Sequence, residues 1–170
     1  VKSQAHPTVA NNLVIDATLK RTDFLHKMLG VDINVEGNLR AHGNLNTGNE
    51  HSSLTIFADK LAVGGQEFIR PSIYLHGENT NYHCLLQTRK NMSGQEYSIA
   101  TQLDTNEGQL TTNVTWRGTT DASYNGSFET LTRFLPTEKG VNFNMHIQPT
   151  AFALADTIWN ISSGDISYIN

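Results

Sequence analysis

Val31-Asp-Ile-Asn-Val-Glu-Gly-Asn-Leu-Arg-Ala-His-Gly-Asn-Leu45 is the stretch that decides the fold. Every odd position is apolar or glycine: Val31, Ile33, Val35, Gly37, Leu39, Ala41, Gly43 and Leu45. Every even position is polar: Asp32, Asn34, Glu36, Asn38, Arg40, His42 and Asn44. Successive side chains on a strand point to opposite faces, so a period of two marks a long strand with one wet face.

The same alternation spreads outward in both directions. Upstream, Leu13, Ile15, Ala17 and Leu19 alternate with Val14, Asp16, Thr18 and Lys20. Between the two strands, residues 22–30 break the period. A Thr22 cap, the pairs Phe24/Met28 and Leu25/Leu29, and a closing Gly30 suit a short helix near residues 22–29. Downstream, Leu54, Ile56 and Ala58 hold one phase, and Leu61 and Val63 resume on the other after Asp59-Lys60, which predicts a bulge or turn. Gly64-Gly65 is a hairpin signal. Further strands are expected over 68–76, 82–88, 97–103, 110–116, 124–130 and 141–147, with turns at 78–81, 91–94, 105–108, 118–121 and 136–140. Connections this short make neighbouring strands antiparallel. The fold class is therefore all-β, mainly antiparallel, in one domain over 1–170.

Composition removes several classes of function. The net charge is −4 and 16% of residues are charged, with no basic stripe for nucleic acid or an anionic membrane surface. The longest wholly apolar candidate, 151–155, is far short of the ~20 residues of a membrane helix. The single Cys84 excludes an internal disulfide and reads as a small hydrophobe on a strand. Seven histidines are scattered without ligand spacing and read as solvated or hydrogen-bonded surface groups, so no metal site is expected. No nucleophile elbow, Cys–His arrangement or phosphate loop occurs, and the chain reads as a non-enzyme without a cofactor. Four Asn-x-Ser/Thr triplets, at Asn91, Asn113, Asn125 and Asn160, are what an Asn- and Thr-rich chain produces by composition. Trp116 continues the phase of Leu110, Thr112 and Val114 and should pack inward, whereas Tyr74 should face solvent.

The C-terminal segment is the most distinctive. Ile147-Gln-Pro149 is followed by Phe152-Ala-Leu-Ala-Asp156-Thr-Ile-Trp159-Asn-Ile161 and by Ser-Ser-Gly-Asp165-Ile-Ser-Tyr168. This pattern resembles the TamB family of AsmA-like envelope proteins, as do the Gly-x-Leu steps at Gly37–Leu39 and Gly43–Leu45 and the strand end Leu61-Ala-Val-Gly-Gly65. The resemblance implies a sheet curved lengthwise into an apolar trough, a β-taco. It also implies a periplasmic protein, anchored to the inner membrane by a segment not in this chain, that takes part in phospholipid transport and outer-membrane assembly. Its partners would be phospholipid acyl chains and, through the full-length protein, an outer-membrane assembly-type β-barrel. The chain would be a fragment of a longer repetitive groove, able to self-associate through its edge strands.

On that reading Val31, Ile33, Val35, Leu39, Ile56, Ile99, Val114, Val141, Phe143 and Ile147 line the lipid groove, each on the apolar phase of its strand. Trp159 is expected to be mostly buried, anchoring residues 152–161, with Asp156 at or near the surface. The alternative is a closed β-sandwich that recognises glycan or protein through its loops. Alternation is the same in both, because either way one face of each strand is apolar.

Overall fold

The computed structural model describes residues 12–20, 30, 32–46, 51–79, 81–92, 94–119, 124–138, 140–154 and 157–169. The helix expected near 22–29, Val31 and Asp156 lie outside them. Twelve strands form one sheet: β1 (Asn12–Leu19), β2 (Ile33–Asn46), β3 (His51–Val63), β4 (Gln66–Glu78), β5 (Asn81–Met92), β6 (Gln95–Asn106), β7 (Gln109–Gly118), β8 (Asn125–Thr137), β9 (Gly140–Ile147), β10 (Thr150–Leu154), β11 (Thr157–Ile161) and β12 (Gly164–Tyr168). All pairings are antiparallel, and β1 to β8 follow one another in sequence order. No helix occurs among the described residues.

The last four strands are two longer ones, each interrupted once. β9 and β10 both run along β8, through Thr130↔Ile147 and Asn125↔Ala153, and Gln148 N donates to Glu129 O between them at 2.9 Å. The interruption is a one-residue bulge at Gln148-Pro149, where proline has no N–H for the ladder. β11 pairs with β10 and β12 with β9 without loss of register, since Thr150↔Ile161 and Ile147↔Gly164 lie three residues apart on both sides. The molecule is thus a meander of ten ribs, eight single strands and two composite ones.

Two more bulges keep the apolar side chains on one face. Between Glu36 and Leu39, β2 spends one residue more than β3. The extra residue is accommodated at Gly37, with φ of +87°, where the Asp59 carboxylate crowds Cα and accepts a hydrogen bond from Asn38 N at 3.0 Å. Between Ile69 and Ser72, β4 spends one more than β5, with Arg70 at φ of +48° and Pro71 beside it. These are the sites where the apolar phase shifts in β3, from Ala58 to Leu61, and in β4, from Phe68 to Pro71. The bulge expected at Asp59-Lys60 is therefore present, with its extra residue on the neighbouring strand.

The sheet curves but does not close. Among the described residues, β1 pairs only with β2, and the β11–β12 rib pairs only with the β9–β10 rib. Burial shows what one layer means. Among the described residues the buried apolar ones are Val35, Ala58 and Tyr97, and no side chain is less than 2% exposed. A sandwich packs two apolar faces together and removes many side chains from water completely. The closed sandwich is not the architecture.

Candidate functional site

Register fixes which side chains share a face. One row runs Ala17–Ala41–Ile56–Ile73–Leu86–Thr101–Val114–Phe128 across β1 to β8. The next runs Ile15–Gly43–Leu54–Leu75–Cys84–Leu103–Thr112–Thr130–Ile147 and continues into β9. Residues on these rows are half-buried or buried, whereas most of those between them are exposed. With no second layer over them among the described residues, that difference comes from curvature toward the apolar face, which is the inside of a trough.

All nine described residues expected to line the trough lie on this face. Ile33, Val35 and Leu39 stand on β2, Ile56 on β3, Ile99 on β6 and Val114 on β7. Val141, Phe143 and Ile147 stand on β9, where Val141 sits at the rim and is 49% exposed. The structure adds Leu54, Ile73, Leu75, Leu86, Leu103 and Phe128, all on phases visible in the sequence. A hollow of about 300 Å³ in the trough wall is lined by Leu61, Phe68, Pro71, Ile73, Leu86 and Ile99, with four further residues.

The trough changes character along its length. β1 to β5 contribute mainly Leu, Ile and Ala, and β5 to β8 contribute threonines, of which Thr130 and Thr132 are 4% exposed. Threonine hydroxyls turn back to the main chain where they can: Thr88 Oγ1 donates to Ile69 O at 3.3 Å and Thr150 Oγ1 to Ser127 O at 2.7 Å. No buried side-chain polar atom among the described residues lacks a partner, as an apolar surface requires. Cys84 is half-buried in the trough floor, and burial pushes its thiol pKa up.

Trp116 packs inward as expected, its ring edge-on to Phe152 with centroids 5.3 Å apart and its face over Gly126. Trp159 does not. The residue is 53% exposed, correcting the expectation that it is mostly buried. It lies on the trough face opposite Phe152, but β11 is an outer rib that among the described residues has a neighbour on one side only.

The other face is a solvated ladder of polar pairs. Lys60 bridges Glu36 and Glu67, each at 3.1 Å, and Arg89 meets Glu96 at 3.4 Å. His83 Nδ1 lies 2.6 Å from Asp104 Oδ1, and Gln102 Nε2 donates to Asp104 Oδ2 at 2.8 Å. The His83 hydrogen bond holds the Asp104 carboxyl below the usual aspartate range, against a smaller opposing effect of burial. His146 Nδ1 and Asp165 Oδ1 repeat the pair at 2.8 Å. Among the described residues no three His, Cys, Asp or Glu side chains converge on a metal position. Tyr74 is on this face, 44% exposed as expected.

No protein-family model, curated protein or solved structure matches this chain. The site rests on its geometry: an unclosed antiparallel meander whose apolar face is continuous and, among the described residues, uncovered.

Proposed function

We propose that the chain is a non-enzymatic, TamB-like segment that shelters phospholipid acyl chains in its trough as they cross the periplasm. One observation carries the reading: a single apolar face spans all ten ribs, and no second layer covers it among the described residues. An apolar surface of that extent is a binding surface by default, because leaving it in water is costly. Acyl chains suit it. Each buried methylene is worth about 0.8 kcal/mol, so a long chain gains on the order of 10 kcal/mol without any specific polar contact. The full-length protein would carry the inner-membrane anchor and would meet an outer-membrane assembly-type β-barrel. The outer ribs, whose exposed apolar residues include Leu13, Val14, Ile158 and Ile166, would pair with further strands or with a second copy.

A photo-crosslinker tests the reading in cells. Placed at Leu39 or Phe143, on the trough face, it should capture lipid. Placed at Arg40 or Asn144, one residue away on the polar face, it should not. Equal labelling at all four positions would contradict the proposal.

A further inference from the structure

Lys90 is the one charged strand side chain that register places on the trough face among the described residues. It pairs with Tyr97 across β5 and β6, and Tyr97, Ile99 and Thr101 alternate along the same face. A rim lysine ordinarily lays its stem over apolar surface and puts its ammonium into water. Lys90 is half-buried, and its Nζ stands 5.5 Å from the centroid of the Phe68 ring and donates to Gln66 Oε1 at 2.6 Å. Neither partner carries a charge. The carboxylates close by in the chain are occupied on the other face, Glu67 with Lys60 at 3.1 Å and Glu96 with Arg89 at 3.4 Å. Among the described residues no carboxylate meets this positive charge, and its Phe68 partner lines the 300 Å³ hollow together with Leu61, Ile73 and Leu86.

We infer that the trough selects anionic lipids, with the headgroup phosphate at Lys90 and the acyl chain in the hollow beneath Phe68. The inference rests on the acyl-sheltering reading and adds polarity to it: the headgroup stays at Lys90, near the end of the β5–β6 pair, and the tail runs inward. An ammonium between an aromatic face and an amide can donate to a phosphate oxygen as its third partner. The Gln66 amide, whose oxygen Lys90 already holds, keeps its N–H₂ group to donate to the same anion. A zwitterionic or neutral headgroup gains less there, because nothing offsets its loss of hydration as fully.

Calorimetric titration of the whole chain with decyl phosphate and with decanol tests this. The wild type should bind decyl phosphate about tenfold more tightly than decanol, the scale of one charge-assisted hydrogen bond. Lys90→Met should abolish that preference while holding decanol affinity within about twofold, and Lys90→Arg should retain it. Equal wild-type affinities would overturn the inference and leave the acyl reading standing, whether or not Lys90→Met folds. A preference that survives in a folded Lys90→Met protein would also overturn it. Inorganic phosphate should fail to displace decyl phosphate; displacement would show an ion site independent of the trough and overturn the inference. Failure of the folded wild type to bind either amphiphile would overturn the acyl reading as well.

Discussion

The two tryptophans lie on one row of the same face and have different surroundings. Trp116 is opposite Gly126 on an inner rib, and Trp159 is opposite Phe152 on an outer one. Trp116 has a neighbouring rib on each side and packs against Phe152, whereas Trp159 is 53% exposed. The alternation that places them is identical. In a single-layer sheet, burial comes from the ribs on either side and from curvature, and the outermost rib has only half of that shelter.

The largest expected effect is at the inner ring. Trp116→Ala should cost about 2–3 kcal/mol, below the full range for a buried aromatic because the ring is only half covered. Urea unfolding should show it as a lower midpoint at unchanged slope. Gly37→Val comes next, at about 1–2 kcal/mol, since a side chain there must adopt the left-handed region and meet the Asp59 carboxylate. Its melting temperature should fall without loss of the strand signature in circular dichroism. Trp159→Ala should cost under about 1 kcal/mol, because much of its ring is already in water. A loss equal to that of Trp116→Ala would erase the distinction between inner and outer ribs.

The smallest effect is at the polar face of the inner ribs. Asp104 has a depressed pKa in the folded chain, so its contribution to stability is present above the ordinary aspartate range. It is lost as pH falls through the depressed value, when the carboxylate is protonated and the His83 pair weakens. The side chain is 42% exposed, so solvent screening keeps the contribution small. Asp104→Asn should lower the neutral plateau of a stability–pH curve slightly and leave its acid end unchanged, so that the acid limb is flatter.

Strands and turns were legible because their signals are local. Gly64-Gly65 gives a two-residue turn with both φ values positive, and Glu107-Gly108 gives another. The phase shift between Ala58 and Leu61 revealed a bulge in the sequence, yet the residue that absorbs it, Gly37, belongs to the neighbouring strand and emerges only from pairing. The trough face was legible residue by residue, because alternation alone assigns Leu39, Val114 and Phe143 to one side. Its openness was not, since a sandwich needs the same pattern. Nor was the exposure of Trp159, which depends on rib order, or the lack of a carboxylate beside Lys90 among the described residues, which depends on where Glu67 and Glu96 face. Local pattern fixes the phase, and non-local pairing fixes the surroundings.

The central claim is that the trough is open to water and takes lipid onto its apolar face, and the native Cys84 reports on both. Its thiol stands on the trough floor between Leu75 and Leu103. Burial raises its pKa and slows its reaction, but an open face leaves it within reach of a small maleimide. The folded, lipid-free chain should therefore be labelled at Cys84 without unfolding, and phosphatidylglycerol added in excess should protect it. A thiol that reacts only after denaturant is added, or that lipid leaves equally reactive, would contradict the account.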